Sequence, residues 1–444
     1  MKRVVIVGAG GRDFHTFNVV FRDDPSSLVV AFTAAQIPGI DARTYPAALA
    51  GPRYPDGIPV RPQAELAAIV REHDVDEVVF AYSDVAYPDV MHLAALTLSL
   101  GADFRLVGPK ASALRSQVPV VAVCATRTGC GKSQVSRAVA RHLQARGLRV
   151  ALVRHPMPYG RLLDMRVQRF ATLADIDASH PTIEEREEYE QPVREGVTVW
   201  AGVDYGDILR AAEAESDVVV WDGGNNDLPF YRPDVMVTVT DALRPGHETA
   251  YHPGEANLLL ADVVVVNKVD SAAPADVRAV VAAVQARNPR ALVVTTASPA
   301  TLEPGPALRG ARVLVVEDGP TITHGGMPFG AGTVAARAAG AAELVDPRPH
   351  AVGSIAGVFA SYPHIGPVLP AMGYGDAQLG DLRATIAATP CDVVVTGTPI
   401  DLAAAVGLDL GHPVRHVTYD LDDDSRRRLL AALEPWLRAV TARP

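Results

Sequence analysis

The residues best suited to chemistry stand in Gly129-Cys130-Gly131-Lys132-Ser133, which follows the apolar run Val120 to Ala125. After it, Val135, Ala138, Val139 and Leu143 recur at helical spacing. A strand, a turn of small residues and a helix in that order let successive backbone N–H groups face phosphate oxygens. The lysine then reaches the outer phosphates and the hydroxyl meets Mg²⁺. Gly129, Cys130, Gly131, Lys132 and Ser133 are therefore read as nucleotide-binding, with Lys132 also catalytic. Asp222 ends a second apolar run, Val218 to Trp221, and supplies the carboxylate that, with Ser133, is expected to hold Mg²⁺. The polar Asn225-Asn226-Asp227 just beyond adds groups able to orient water or a substrate.

Four valines, Val263 to Val266, lead into Asn267-Lys268-Val269-Asp270, an N-K-x-D pattern. A carboxylate at its last position accepts both guanine N1–H and the 2-amino group, and the lysine stem covers the base plane; adenine has no such donor pair. GTP is thus the expected nucleotide, with ATP as the alternative, and Ser298 after the strand Leu292 to Thr295 is expected beside the base. Lys132 and Lys268 are two of only four lysines in a chain that otherwise uses arginine. Thr126 replaces the first glycine of the strict P-loop pattern. The loop instead resembles the K-G-G-x-G-K-S variant of the dimerising P-loop families related to ParA and MinD, with Arg127 at their signature lysine. That likeness implies a homodimer with Arg127 as a catalytic phosphate contact; a solvated loop arginine is the other reading.

Further candidates are basic or small residues. Arg154 and His155 follow the run Val150 to Val153. Arg12 and His15 follow Gly8-Ala9-Gly10-Gly11. Thr323 and His324 stand in the Gly-rich stretch Gly319 to Gly332. All six are candidate contacts for a phosphorylated acceptor, and each has a plainer reading as a turn or a solvated face. The first glycine cluster lacks the third glycine of the dinucleotide fingerprint, which argues against NAD.

These groups must be positioned by a large scaffold. At 444 residues the chain is long enough for about three domains. With 48% hydrophobic and 21% charged residues, it should bury ordinary globular cores. The net charge of −10 speaks against nucleic acid or an anionic membrane as partner. Three cysteines without C-x-x-C spacing, and the absence of a long apolar run, point to the cytoplasm. Short β-branched runs alternate with Ala- and Leu-rich helical stretches, the pattern of three-layer α/β domains with mostly parallel sheets. Residues 1–115 read as a Rossmann-like N-terminal domain, 116–345 as a central P-loop NTPase domain and 346–444 as a small C-terminal α/β region.

With its motifs in this order, and with the block Glu317 to Met327 and Pro363-His364-Ile365-Gly366-Pro367 after them, the chain resembles the cyclic 2,3-diphosphoglycerate synthetase family and its predicted-GTPase bacterial relatives. The resemblance implies an enzyme that spends a nucleoside triphosphate, with Mg²⁺, to close an intramolecular phosphoanhydride in a small phosphorylated acid such as 2,3-diphosphoglycerate. A regulatory or chaperone-type GTPase that switches a dimer is the alternative.

Overall fold

The computed structural model describes residues 1–35, 43–155, 160–372, 376–399, 402 and 411–441. Three largely parallel sheets carry the chain, and the architecture is α/β with helices packed on sheet faces. The first, six-stranded sheet runs Thr44–Tyr45, Ile58–Pro62, Ser27–Ala34, Lys2–Val7, Glu77–Phe80, Asp103–Leu106. The second has eight strands, in the order Gln168–Phe170, Thr198–Ala201, Val150–Arg154, Val218–Asp222, Val120–Ala125, Val235–Asp241, Val263–Asn267, Leu292–Thr295.

In that second sheet every residue of the strands Val120–Ala125, Val218–Asp222, Val235–Asp241 and Val263–Asn267 is buried. Helices cover both faces, so these strands read as continuous Val-rich runs instead of alternating patterns. After Val120–Ala125 the chain builds outward on one side and then continues on the other. The carboxyl end of Val120–Ala125 is thus a topological switch point, where open α/β sheets gather ligands. On one face the helix Lys132–Ala145 buries Val135, Ala138, Val139 and Leu143.

The third sheet orders Ala300–Leu302, Val414–Tyr419, Val393–Gly397, Arg312–Asp318 and Glu343–Leu344, with Leu369–Ala371 also paired to Arg312–Asp318. It therefore takes strands from both sides of the expected division between residues 345 and 346. The closing helix Asp423–Thr441 leaves this sheet and returns to the second one. Its Leu429, Leu433 and Leu437 are fully buried in the core that holds Val135 and Leu143. The first sheet is fixed to the second by a buried aromatic group. His15 stacks on Phe230 with ring centroids 4.0 Å apart, and Phe230 meets Tyr205 and Trp221. Among the described residues no helix is long and apolar enough to cross a membrane.

If the closing helix is part of the P-loop core, Leu433→Ala should lower unfolding free energy by ~2–5 kcal/mol in denaturant titration. A change below ~0.5 kcal/mol would place the helix outside that core.

Candidate functional site

The loop between Val120–Ala125 and Lys132–Ala145 turns through Gly129 and Gly131, at φ 75° and 95°. A side chain on Gly131 would also collide with the Asn267 amide. Lys132 Nζ donates to Asp222 Oδ1 at 2.8 Å, and the Arg154 guanidinium pairs with the other Asp222 oxygen and with Glu188. Burial disfavours charge on Asp222, but Arg154 and Lys132 outweigh it and hold the carboxyl below its usual range. Arg154 Nη1 also lies 3.5 Å from Ser133 Oγ. The structure thus brings together Lys132, Ser133, Asp222 and Arg154. A serine hydroxyl beside an ionised carboxylate is a hard oxygen donor pair of the kind Mg²⁺ takes.

On the other side of the loop, Asn267 Nδ2 donates to Cys130 O at 3.0 Å while Thr296 Oγ1 donates to Asn267 Oδ1 at 2.8 Å. Lys268, at φ 61°, sends Nζ to Gly129 O at 2.6 Å and to Asp241 Oδ2 at 3.0 Å. Two members of the N-K-x-D pattern are therefore braces for the P-loop. Asp270 is exposed; its Oδ1 accepts the Ser298 N–H at 2.8 Å, and Ser298 Oγ donates to Gln134 Oε1 at 2.9 Å. The expected base loop and the expected base-reading carboxylate are in contact.

Arg127 has a different employment from the one expected. Its side chain is 3% exposed, and its Nε donates to Asp84 Oδ1 at 2.6 Å. Nη1 meets His247 Nδ1, Nη2 reaches the carbonyls of His324 and Gly325, and the guanidinium stacks 3.4 Å from the Tyr251 ring centroid. Every nitrogen is engaged within the chain, so Arg127 is a clasp between the P-loop, the first unit and the 319–327 block, and it is not a solvated residue. A neighbouring clasp escaped the sequence reading. Arg244 donates to Asp241 Oδ2, Thr128 O and Gly325 O at 2.9, 2.8 and 2.7 Å. Asp241 ends an apolar strand just as Asp222 does, with Arg244 three residues on, and that was the available signal.

A cavity of ≈1290 Å³ runs from this loop to the carboxyl ends of the first and third sheets. That exceeds the room needed for one small ligand. Arg12, Arg154, His155, Thr323 and His324 line it. Arg12 is buried and donates to Val107 O and Leu228 O at 3.0 and 3.4 Å, so much of its donor capacity is spent joining two units. His15 is not in the cavity wall; its Nε2 lies 2.7 Å from Ser112 O and its ring packs on Phe230. Thr323 Oγ1 donates to Gly319 O at 2.7 Å within its own turn. His324 Nδ1 lies 3.2 Å from Tyr362 Oη at the rim. Stacking and carbonyl partners occupied residues that spacing alone marked as free.

Over 437 residues the chain is 54% identical to the arginine synthetase ArcE of Thermococcus kodakarensis, covering 98% of this chain and 97% of that relative. No protein-family model matches the chain. Among solved structures, LpxK from Aquifex aeolicus in complex with ATP gives a TM-score of 0.40 at 12% identity, covering 84% of this chain and 99% of that one. A DUF1611 family protein from Anabaena variabilis gives 0.25 at 11%, covering 66% and 95%.

Lys132→Ala should reduce nucleoside triphosphate turnover by roughly 10²-fold or more, the scale of one removed charge-stabilising donor; full activity would sink the P-loop assignment. Asp270→Asn should narrow the ratio of GTP to ATP turnover by about tenfold or more, and an unaltered ratio would show that this carboxylate does not read the base.

Proposed function

Because the chain belongs to the family of the Thermococcus kodakarensis arginine synthetase ArcE, we propose that it makes arginine in a step driven by a nucleoside triphosphate. It is an enzyme, a nucleotide-dependent synthetase in the broad sense. The observation that carries the reading is the identity of 54% across nearly the whole of both chains. The P-loop with Lys132, Ser133 and Asp222 gives that identity a chemical meaning.

The terminal carbon of arginine bears three nitrogens, and its ureido analogue, L-citrulline, bears an oxygen in place of one of them. Oxygen is a poor leaving group there. Transfer of a γ-phosphoryl group converts it into a phosphate ester, after which a nitrogen nucleophile closes the guanidinium. Lys132 and the loop N–H groups hold the triphosphate, and Ser133 and Asp222 hold Mg²⁺, which neutralises charge on the phosphates. In this reading the acceptor takes the part of the cavity lined by the first and third sheets, next to Lys132 and Ser133. GTP is the proposed donor, since Asp270 stands exposed beside Ser298 while Asn267 and Lys268 brace the loop.

The test incubates the purified chain with Mg²⁺, L-citrulline and ammonium chloride, with GTP or ATP, and measures arginine by mass spectrometry. Arginine and nucleoside diphosphate should appear in equal amounts, faster with GTP. Turnover that ignores citrulline would favour the regulatory GTPase, and turnover that requires 2,3-diphosphoglycerate would favour phosphoanhydride formation.

A further inference from the structure

His155 follows the strand Val150–Arg154 and Asp227 lies beyond its neighbour Val218–Asp222, so their side chains meet at the cavity wall. His155 Nε2 lies 3.5 Å from Asp227 Oδ2. The imidazole is packed between Gly11 and Gly224: a Cβ at Gly11 would overlap the ring, and one at Gly224 would lie 2.7 Å from Nδ1. Asp227 is 2% exposed. Among the described residues neither Asp227 Oδ1 nor His155 Nε2 has a hydrogen-bond partner. Two such atoms buried without partners are costly unless a ligand supplies the missing bonds.

The charges around the pair favour a base. Arg12 from the first unit and Lys132 from the P-loop attract a proton-free Asp227, Ser83 donates to it, and Asp84 opposes them. Around His155 stand Asp13, Lys132, Arg154 and Arg12. Burial raises the Asp227 carboxyl to about 6, against those cations. Burial lowers His155 to about 4, with the cations adding to it and Asp13 opposing. At neutral pH Asp227 is thus ionised and His155 uncharged. A carboxylate near 6 is well matched to taking a proton at physiological pH.

We propose that Asp227, beside His155, accepts the proton of the nitrogen nucleophile in the bond-forming half of the reaction. This rests on the arginine-forming reading. Ammonium gives one proton to Asp227 and attacks as ammonia, its lone pair forming the new C–N bond. The C–O bond breaks with its electron pair passing to phosphate, which takes a second proton from the added nitrogen and leaves the guanidinium. Asp227 later returns its proton to solvent.

The test compares wild type with Asp227→Asn, using ammonium chloride or hydroxylamine as nitrogen donor. Hydroxylamine is largely a free base at neutral pH and needs no such acceptor. The variant should lose about 10²-fold or more of its ammonium-dependent arginine formation. It should keep most of its hydroxylamine-dependent N-hydroxyarginine formation. The acid limb of the wild-type ammonium profile, rising through about pH 6 as Asp227 ionises, should vanish in the variant. An unchanged ammonium rate, or equal losses with both donors in a variant with the wild-type circular dichroism spectrum, would overturn the proposal. Should Asp227→Asn not fold, His155→Gln is read in the same comparison, with the same donor selectivity expected and equal losses again decisive against it. A wild-type protein that makes neither product would refute the arginine reading itself, which is a separate outcome.

Discussion

The structure depends on one buried ionic contact, that of Lys132 and Arg154 with Asp222 at the carboxyl end of the second sheet. Charges removed from water are tolerated only when paired and hydrogen-bonded, and loss of one partner leaves the others stranded. Asp222 is 1% exposed, so its position, and with it the reach of Lys132, is fixed by the register of Val218–Asp222 against Val120–Ala125 and Val150–Arg154. Because side chains alternate across a strand, a one-residue slip would turn Asp222 to the opposite face of the sheet and away from Lys132.

Around that contact, buried polar clasps connect the loop to all three sheets. Asp84 of the first unit grips Arg127, and Arg244 with Asp241 and Lys268 ties the loop to the second sheet and to Gly325. Glu317, at the end of a third-sheet strand, accepts from the N–H groups of Gly330, Gly332 and Thr333 and so holds the Gly-rich block against the cavity. A loop braced from three directions needs little reorganisation when a ligand binds, which is the condition electrostatic stabilisation requires.

Much of this was legible in the residues. The Val-rich runs mark the second-sheet strands because a strand covered on both faces has nothing polar to alternate with, and Leu429, Leu430, Leu433 and Leu437, repeating at helical spacing in the sequence, mark the closing helix. Which sheet that helix covers was not legible, since spacing defines an apolar face but not its partner. The marginal strands Gln168–Phe170 and Ala300–Leu302 are too short to announce themselves. At the site, Lys132, Ser133, Asp222, Asn267 and Lys268 were marked by motifs whose spacing reflects one local loop. Asp84, Arg244 and the new use of Arg127 were hidden, because their meaning lies in contacts between segments far apart in sequence. The resemblance to cyclic 2,3-diphosphoglycerate synthetases carried the nucleotide chemistry and named an acceptor, whereas near-full-length identity to an arginine synthetase directs the acceptor reading elsewhere.

Under the proposed arginine-forming reading, the acceptor oxygen is phosphorylated and leaves as phosphate. The most direct measurement uses L-citrulline labelled with ¹⁸O in the ureido group, turned over with ammonium and nucleoside triphosphate in unlabelled water, with the released phosphate examined by ³¹P NMR. One ¹⁸O is expected in each phosphate formed alongside arginine. Phosphate carrying no label would contradict it, because the γ-phosphoryl group would then have passed to water and not to the acceptor.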